Sequence, residues 1–107
     1  MIAAVYARKS TENAAGVARQ IELSKDFIKS KGWTVGPTFS DDGVSGAEFD
    51  RPGLNALMAE VARKPRAFDA LVTMDSSRLG RDMAETLALQ LRITRAGVRV
   101  FFYQDGS

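Results

Sequence analysis

The feature that most constrains the fold of this 107-residue chain is a regular alternation of short apolar runs with longer amphipathic stretches. The apolar runs have the length and composition of buried strands, and the stretches between them carry apolar residues at helical spacing. Strand and helix alternating in this way fold into a parallel sheet with right-handed crossovers and helices on both faces. We therefore predict an α/β fold in three layers, with a mostly parallel four-stranded sheet and flanking helices.

The predicted strands are recognised by the polar or turn-forming residues at their ends. They cover residues 2–7, 33–39, 67–74 and 98–103. The second strand contains Gly36-Pro37, and a proline cannot donate a hydrogen bond to a neighbouring strand. We therefore expect the second strand to lie at an edge of the sheet.

The predicted helices each have recognisable ends and an apolar stripe. The first runs from Val17 to Ser30 and is followed by Gly32. The second begins at Pro52 and ends at Arg63-Lys64-Pro65-Arg66. The third begins at an Asp82–Glu85 capping box and ends near Ala96-Gly97. The residues expected to line them are Val17, Ile21, Ser24 and Ile28, then Leu54, Leu57, Met58 and Val61, then Met83, Leu87 and Leu91. The cations that end the second helix suit the helix dipole.

The composition restricts the chemistry that this chain can perform. It has no cysteine, which excludes disulfides and thiolate metal sites, and no histidine, which removes the commonest general base. A catalytic triad of the serine-protease type is therefore excluded, because its imidazole is missing. A site in which carboxylates hold a magnesium ion is not excluded. The net charge of +2 is compatible with nucleic-acid binding without requiring it. No apolar stretch is long enough to span a membrane.

Polar residues follow the first strand in a pattern that suggests a site. Arg8 and Ser10 come where that strand ends, and ligands of open α/β sheets bind beyond the carboxyl ends of the strands. A hydroxyl beside a fixed cation could be a nucleophile for an anionic substrate. The alternative interpretation is that Ser10 begins a loop and that Arg8 is a solvated strand end.

Further charged residues are expected at the same edge of the sheet. The third strand leads to Asp75, Arg78 and Arg81, and the long turn-rich segment after the second strand leads to Arg51. Arginines near a helix N-terminus are unfavourable for the helix dipole, whereas an anionic ligand would explain them. Alternatively, they are surface arginines paired with nearby acids. Taken together, a serine surrounded by arginines fits phosphoryl transfer by covalent catalysis.

At this point the sequence resembles the catalytic domain of the serine recombinases, the resolvase/invertase family. The matching segments are Tyr6-Ala7-Arg8-Lys9-Ser10-Thr11, Arg19-Gln20-Ile21, Asp42-Gly43-Val44-Ser45-Gly46, Arg51-Pro52-Gly53-Leu54, Ser77-Arg78-Leu79-Gly80-Arg81-Asp82 and Ala96-Gly97-Val98. Each segment is short, but together they occur in the family's order along nearly the whole chain.

The resemblance implies a role for each matching residue. Ser10 would attack a DNA phosphodiester and form a 5′-phosphoserine link, without a metal or a nucleotide cofactor. The arginines around the scissile phosphate would be Arg8, Arg51, Arg78 and Arg81. Gln20 would help to order the site. Many members have an acid immediately before the first arginine of the Arg-Leu-Gly-Arg motif; here Ser77 occupies that place, and Asp75 is the expected substitute.

The resemblance also implies partners and a larger protein. Family catalytic domains continue into a long dimerisation helix and a DNA-binding region, so residues 1–107 are expected to be an N-terminal catalytic fragment that is inactive alone. Its partners would be double-stranded DNA and further copies of itself, as a dimer and a tetramer, in the prokaryotic cytoplasm at the nucleoid. Two alternatives remain open: a flavodoxin-like phosphate-binding module, and an inactive recombinase remnant.

Overall fold

The computed structural model describes residues 1–9, 16–41, 51–75, 78–80 and 82–105. Within these ranges strand and helix alternate as predicted. The elements are β1 (Ile2–Arg8), α1 (Val17–Ser30), β2 (Thr34–Asp41), α2 (Pro52–Val61), β3 (Ala70–Thr73), α3 (Met83–Arg95) and β4 (Arg99–Phe102), followed by a 3₁₀ turn at Tyr103–Asp105. Among the helices described, none combines the length and the apolar character that a membrane crossing requires.

The four strands form one sheet in the order β2-β1-β3-β4, and every neighbouring pair is parallel. β2 lies at an edge, which confirms the position expected from Gly36-Pro37. Ala3 pairs with Val35 whereas Val5 pairs with Thr38, so β2 contains one residue more than β1 over this stretch. The extra residue is a bulge, and it falls at the proline, where the strand cannot donate to the ladder.

The helices cover both faces of the sheet and confirm the three-layer architecture. Alternate residues of β1 enter two separate apolar clusters, because successive side chains of a strand point to opposite faces. Ala3 and Val5 pack with Ile28 of α1 in one cluster. The other cluster contains Ala4 and Tyr6 with residues of α2 and α3, namely Leu54, Leu57, Met58, Val61, Leu89 and Ile93.

The end of α2 differs from the prediction in one respect. Its apolar stripe is buried as expected, but its last turn, which ends at Val61, contains no cation. Arg63, Lys64 and Arg66 come after the helix has ended, in the connection to β3. They therefore lie outside the last helical turn, where the helix dipole would stabilise a positive charge.

The buried face of α3 is not the one predicted. Met83, Leu87 and Leu91 are exposed by 78%, 59% and 48%, whereas Thr86, Leu89 and Ile93 are buried. The reason is a close approach at the start of the helix. A Cβ on Gly80 would lie 2.4 Å from the backbone nitrogen of Thr86, so the glycine lets the Thr86 side of α3 approach the core.

Two strand boundaries also differ from the prediction by more than one residue. β3 begins at Ala70 rather than at residue 67, although Phe68 is buried before the strand begins. β2 continues to Asp41, which the sequence placed in the following turn. The second difference matters for function, because it brings the Asp41 side chain into the sheet beside the candidate site.

Candidate active site

The carboxyl edge of the sheet brings three predicted arginines together. Arg8 is the last residue of β1, Arg78 follows β3, and Arg51 immediately precedes α2. The Nε of Arg8 donates a hydrogen bond to the backbone carbonyl of Arg78 at 3.2 Å. Burial lowers the pKa of Arg8, and so do the positive charges of Arg51 and Arg78, so the Arg8 guanidinium lies close enough to the other two to be repelled by them.

Gln20 of α1 holds the end of β1 with two hydrogen bonds. Its amide nitrogen donates to the carbonyl oxygen of Arg8 at 2.9 Å, and its Oε1 accepts from the backbone nitrogen of Arg8 at 3.2 Å. The Gln20 side chain is fully buried. The geometry therefore fixes the backbone two residues before Ser10, in keeping with the ordering role predicted for Gln20.

The guanidinium of Arg51 is held by two acceptors from one neighbouring segment. Its Nη1 donates to the carbonyl oxygen of Leu79 at 2.8 Å, and its Nη2 donates to Glu85 Oε1 at 3.1 Å. Arg51 is only 6% exposed. Since a guanidinium carries five N–H donors, these two bonds leave donors for an anion while they fix the orientation of the group.

Asp41 caps α2 from the end of β2. Its Oδ1 accepts from the backbone nitrogen of Gly53 at 2.7 Å, and its Oδ2 accepts from that of Leu54 at 3.0 Å. These nitrogens belong to the first helical turn, which has no intrahelical acceptors. Arg51 occupies the N-cap position but makes no capping bond with its side chain. Because Asp41 provides the cap, the Arg51 side chain extends to Leu79 and Glu85 instead.

Tyr6 completes the hydrogen bonding of Asp41. Its hydroxyl donates to Asp41 Oδ2 at 2.7 Å, and the ring is fully buried in the core. Burial raises the pKa of Tyr6 well above its ordinary value of 10.0, and the hydrogen bond to Asp41 raises it further. The phenol therefore remains a proton donor to Asp41 throughout the physiological pH range.

Arg78 contacts two residues of the segment that follows β3. Asp75 Oδ1 is 3.8 Å from its Nε, and the sulfur of Met74 accepts from its Nη2 at 3.6 Å. Asp75 is therefore beside Arg78, where the sequence placed it as a substitute acid. The hydroxyl of Tyr103 is buried without a hydrogen-bond partner in the described part of the chain. Burial raises the pKa of Tyr103, and the charge of Asp75 adds to this effect.

Two of the predicted site residues, Ser10 and Arg81, lie outside the described residues. Two glycines of the motifs that contain Arg51 and Arg78 have a steric explanation. A Cβ on Gly53 would lie 2.2 Å from the carbonyl oxygen of Ser40, and Gly80 approaches Thr86 as closely. Both glycines thus allow a helix start to pack against a neighbouring segment, which places an arginine at the site.

The sequence did not single out Tyr6, Asp41, Glu85 and Tyr103 as members of this site. A tyrosine within an otherwise apolar strand was one available signal, because a buried phenol needs a hydrogen-bond partner. Asp41 was hidden in a turn-like run, and Glu85 was explained by the capping box. The capping bond is present, since Asp82 Oδ1 accepts from the Glu85 backbone nitrogen at 2.8 Å. The Glu85 carboxylate in addition accepts a hydrogen bond from Arg51.

The arrangement suits an anion with several oxygens. Arginine groups that converge at a sheet edge match the geometry of phosphate better than that of a single carboxylate. Within the described ranges, no three acidic side chains gather closely enough to hold a metal ion. By fold and site, the chain is a three-layer α/β domain with a largely buried arginine cluster at the carboxyl edge of its sheet.

Comparison with known proteins identifies the family. The model of the resolvase N-terminal domain family matches residues 3–107, so the chain belongs to that family, as the motifs indicated. The Tn3 transposon resolvase of Escherichia coli is 31% identical over 101 residues, which cover 94% of this chain and 49% of the resolvase. The R46 site-specific recombinase of Escherichia coli is also 31% identical, over 94% of this chain and 48% of that protein.

A solved structure supports the same assignment. The N-terminal catalytic domain of TP901-1 integrase superposes with a TM-score of 0.83 at 28% identity, over 98% of this chain and 78% of that domain. The predicted α/β architecture is therefore confirmed in both its topology and its family. The chain spans about half the length of the curated relatives that it matches.

Proposed function

We propose that this chain is the catalytic domain of a site-specific DNA recombinase and that Ser10 is its nucleophile. The observation that carries the proposal is the convergence of Arg8, Arg51 and Arg78 at the end of β1, two residues before Ser10. Family membership and the absence of histidine and cysteine from the sequence support a serine that works among arginines.

In the proposed reaction, the Ser10 hydroxyl attacks the phosphorus of a DNA phosphodiester. As the serine oxygen bonds to phosphorus it loses its proton, the bond to the 3′ oxygen breaks, and the departing oxygen takes up a proton. The 5′ phosphate remains on the serine. Attack of a 3′-hydroxyl on the phosphoserine then restores a phosphodiester and releases the serine. The phosphoserine link keeps the energy of the broken phosphodiester, so no external energy source is needed. The arginines stabilise the negative charge of the pentavalent transition state.

The remaining residues divide into binding and positioning groups. Arg8, Arg51, Arg78 and Arg81 are proposed to bind the phosphate oxygens, and Asp75 to orient Arg78 across their 3.8 Å separation. Gln20 is proposed to hold the β1 end that precedes the nucleophile. Asp41 and Tyr6 support this arrangement through α2, which carries Arg51 at its start.

The curated relatives are about twice as long as this chain, which supports a proposal about the whole protein. We infer that further segments supply a dimerisation helix and a DNA-binding region, and that the active form is a dimer that pairs into a tetramer on double-stranded DNA. The domain alone would then contact few phosphates and bind DNA weakly, with strong dependence on salt concentration. Its place of action would be the nucleoid.

The proposal is tested by trapping the covalent intermediate. The protein from the complete reading frame and its Ser10→Ala variant are incubated with nicked DNA. This DNA carries the end sequences of the mobile element that is proposed to encode the protein. We expect a 5′-linked adduct with the first protein and none with the variant. Ser30→Ala is the matched control, because Ser30 is an exposed serine whose hydroxyl donates to Phe27 of its own helix, and it should form the adduct normally.

Three results would contradict the proposal. If bound DNA gave no adduct with either protein, while inorganic phosphate still bound both, the domain would be a phosphate-binding module instead. If neither DNA nor phosphate bound, it would be an inactive remnant. An adduct that persisted in Ser10→Ala would assign the nucleophile to another residue.

A further inference from the structure

A groove lies between the carboxyl ends of α2 and α3, at the end of the sheet opposite the arginine cluster. It consists of two adjoining hollows of about 430 and 260 Å³, which share Val61, Ala62, Arg95 and Ala96. Because both helices run antiparallel to the strands, their last turns meet where β3 and β4 begin. We call this feature the basic groove; none of its residues belongs to the candidate active site.

The basic groove has an aliphatic floor and a cationic rim. The floor is formed by Met58, Val61, Ala62 and Ala96. The cations that line it are Arg63, Lys64, Arg66, Arg92 and Arg95. Five positive charges around one groove repel one another, so the free domain carries an electrostatic cost that a ligand of opposite charge would relieve.

The acids near the rim neutralise it only in part. Glu60 pairs with Arg63 at 3.1 Å, and Asp69 pairs with Arg66 at 3.3 Å, but both pairs are exposed and lie three residues apart on one segment. Exposed pairs of this kind contribute little. In the described part of the chain, no carboxylate lies within ion-pair distance of Lys64, Arg92 or Arg95.

Helix dipoles explain only some of these cations. Arg92 and Arg95 belong to the last turn of α3, where positive charge is favourable. Arg63, Lys64 and Arg66 follow the end of α2 and are outside its last turn. Arg66 is moreover packed over Gly97: a Cβ at that glycine would lie 2.5 Å from Arg66 Nη1. The glycine thus allows the guanidinium to sit at the rim of the groove.

We propose that the basic groove binds an acidic amphipathic segment of a partner protein. Carboxylates flanking the segment pair with the rim, and an aliphatic side chain between them packs on Val61, Ala62 and Ala96. A DNA backbone offers phosphates but no aliphatic group for this floor. The groove also lies at the end of the sheet opposite the arginine cluster, in a domain whose longest extent is 34 Å. DNA held at the arginine cluster would therefore face away from the groove.

The test measures binding of a defined probe by fluorescence anisotropy. The probe is a labelled synthetic peptide in which leucines at helical spacing are flanked by glutamates, and a second peptide has serine at each leucine. The unmodified chain is compared with Arg95→Glu and Arg66→Glu, which reverse a charge on different walls of the groove. Lys29→Glu is the matched control, because Lys29 is an exposed cation in the last turn of α1, which covers the opposite face of the sheet from α2 and α3.

We expect the glutamate–leucine peptide to bind, each groove variant to weaken it about tenfold, and Lys29→Glu to leave the affinity unchanged. The serine peptide should bind the unmodified chain more weakly. Circular dichroism shows whether each variant is folded, and the two groove variants give independent tests. The proposal is overturned if neither peptide binds, if all three variants weaken binding equally, or if the serine peptide binds as well. It is also overturned if a short DNA duplex binds the groove more tightly than the peptide.

Discussion

At the scale of single residues, Asp41 organises the candidate site. It receives hydrogen bonds from the phenol of Tyr6 and from the backbone nitrogens of Gly53 and Leu54. One carboxyl group therefore links the central strand of the sheet to the start of α2. Arg51 comes immediately before that helix, so its position depends on a residue that is not itself expected to contact the phosphate.

The first prediction concerns this carboxyl group. In Asp41→Asn, one acceptor becomes a donor, so a buried N–H or the Tyr6 hydroxyl loses its partner. We expect the free energy of unfolding to fall by about 2 kcal/mol. Urea denaturation measures the change, and Asp26→Asn on the exposed side of α1 is the control, expected within about 0.5 kcal/mol of the unmodified chain. Equal effects of the two changes would show that Asp41 does not cap α2.

The second prediction concerns pH and Asp69. The Asp69 carboxylate accepts from the backbone nitrogen of Ile2 at 2.9 Å and pairs with Arg66, and these contacts lower its pKa below the ordinary value of 3.8. A lowered pKa stabilises the fold above the unfolded-state pKa, and this contribution disappears as the pH falls through the folded-state pKa. The difference in urea midpoint between the unmodified chain and Asp69→Asn should therefore shrink from about pH 6 to about pH 3. A difference that is constant with pH would contradict the assigned cause.

Sequence reasoning reached the charged residues of the site but not their supports. Arg8, Arg51 and Arg78 could be predicted because they follow or precede recognisable elements, and the sheet topology brings such positions to one edge. The contacts of Asp41 to α2 join residues 12 and 13 positions apart, and its contact with Tyr6 joins residues 35 apart. Local patterns contain no information about pairings of this kind.

At the scale of elements, α3 shows how a helical pattern can fit two faces. Its sequence contains the stripe Met83, Leu87 and Leu91, but the buried stripe contains Thr86 with Leu89 and Ile93. Both stripes have helical spacing, so periodicity alone could not choose between them. The choice depends on how the helix enters the core, which the contact between Gly80 and Thr86 determines.

The third prediction follows from these two faces. Ile93→Ala removes a fully buried side chain and should cost about 3 kcal/mol, whereas Leu87→Ala should change stability by less than about 0.5 kcal/mol. The pair is matched, because each change truncates an aliphatic residue to alanine in the same helix. The free energies come from urea unfolding of the 107-residue chain. A comparable loss in Leu87→Ala would mean that the exposed stripe is covered in solution.

At the scale of the whole molecule, the parallel sheet and one of its edges follow from patterns that are local in sequence. The alternation of elements and the proline of β2 were enough to predict the parallel sheet and one of its edges. The two apolar clusters then follow from the two-residue period of β1. What the patterns left out is the length of each strand, since β3 pairs over only four residues although its apolar run is longer.

The fourth prediction is that a multivalent oxyanion stabilises the whole domain by binding the arginine cluster. Sulfate at ten times its dissociation constant should add about 1.4 kcal/mol to the free energy of unfolding and raise Tm by several degrees. The increase should saturate, whereas the general effect of sulfate on protein stability grows steadily with concentration. Thermal denaturation of Arg51→Gln should lack the saturating part, and Lys29→Glu should retain it. Saturation that survived in Arg51→Gln would place the bound ion elsewhere.

The central position of β1 has a consequence for synthesis of the protein. β1 is made first, yet its buried residues Ala3 to Ala7 need β2 on one side and β3 on the other. At ~5–20 residues per second, the ribosome makes β3 only several seconds after β1. During that interval the nascent chain carries an apolar strand with at least one open edge. The domain therefore folds late relative to its first strand, and chaperones that bind extended apolar segments have a defined time in which to act.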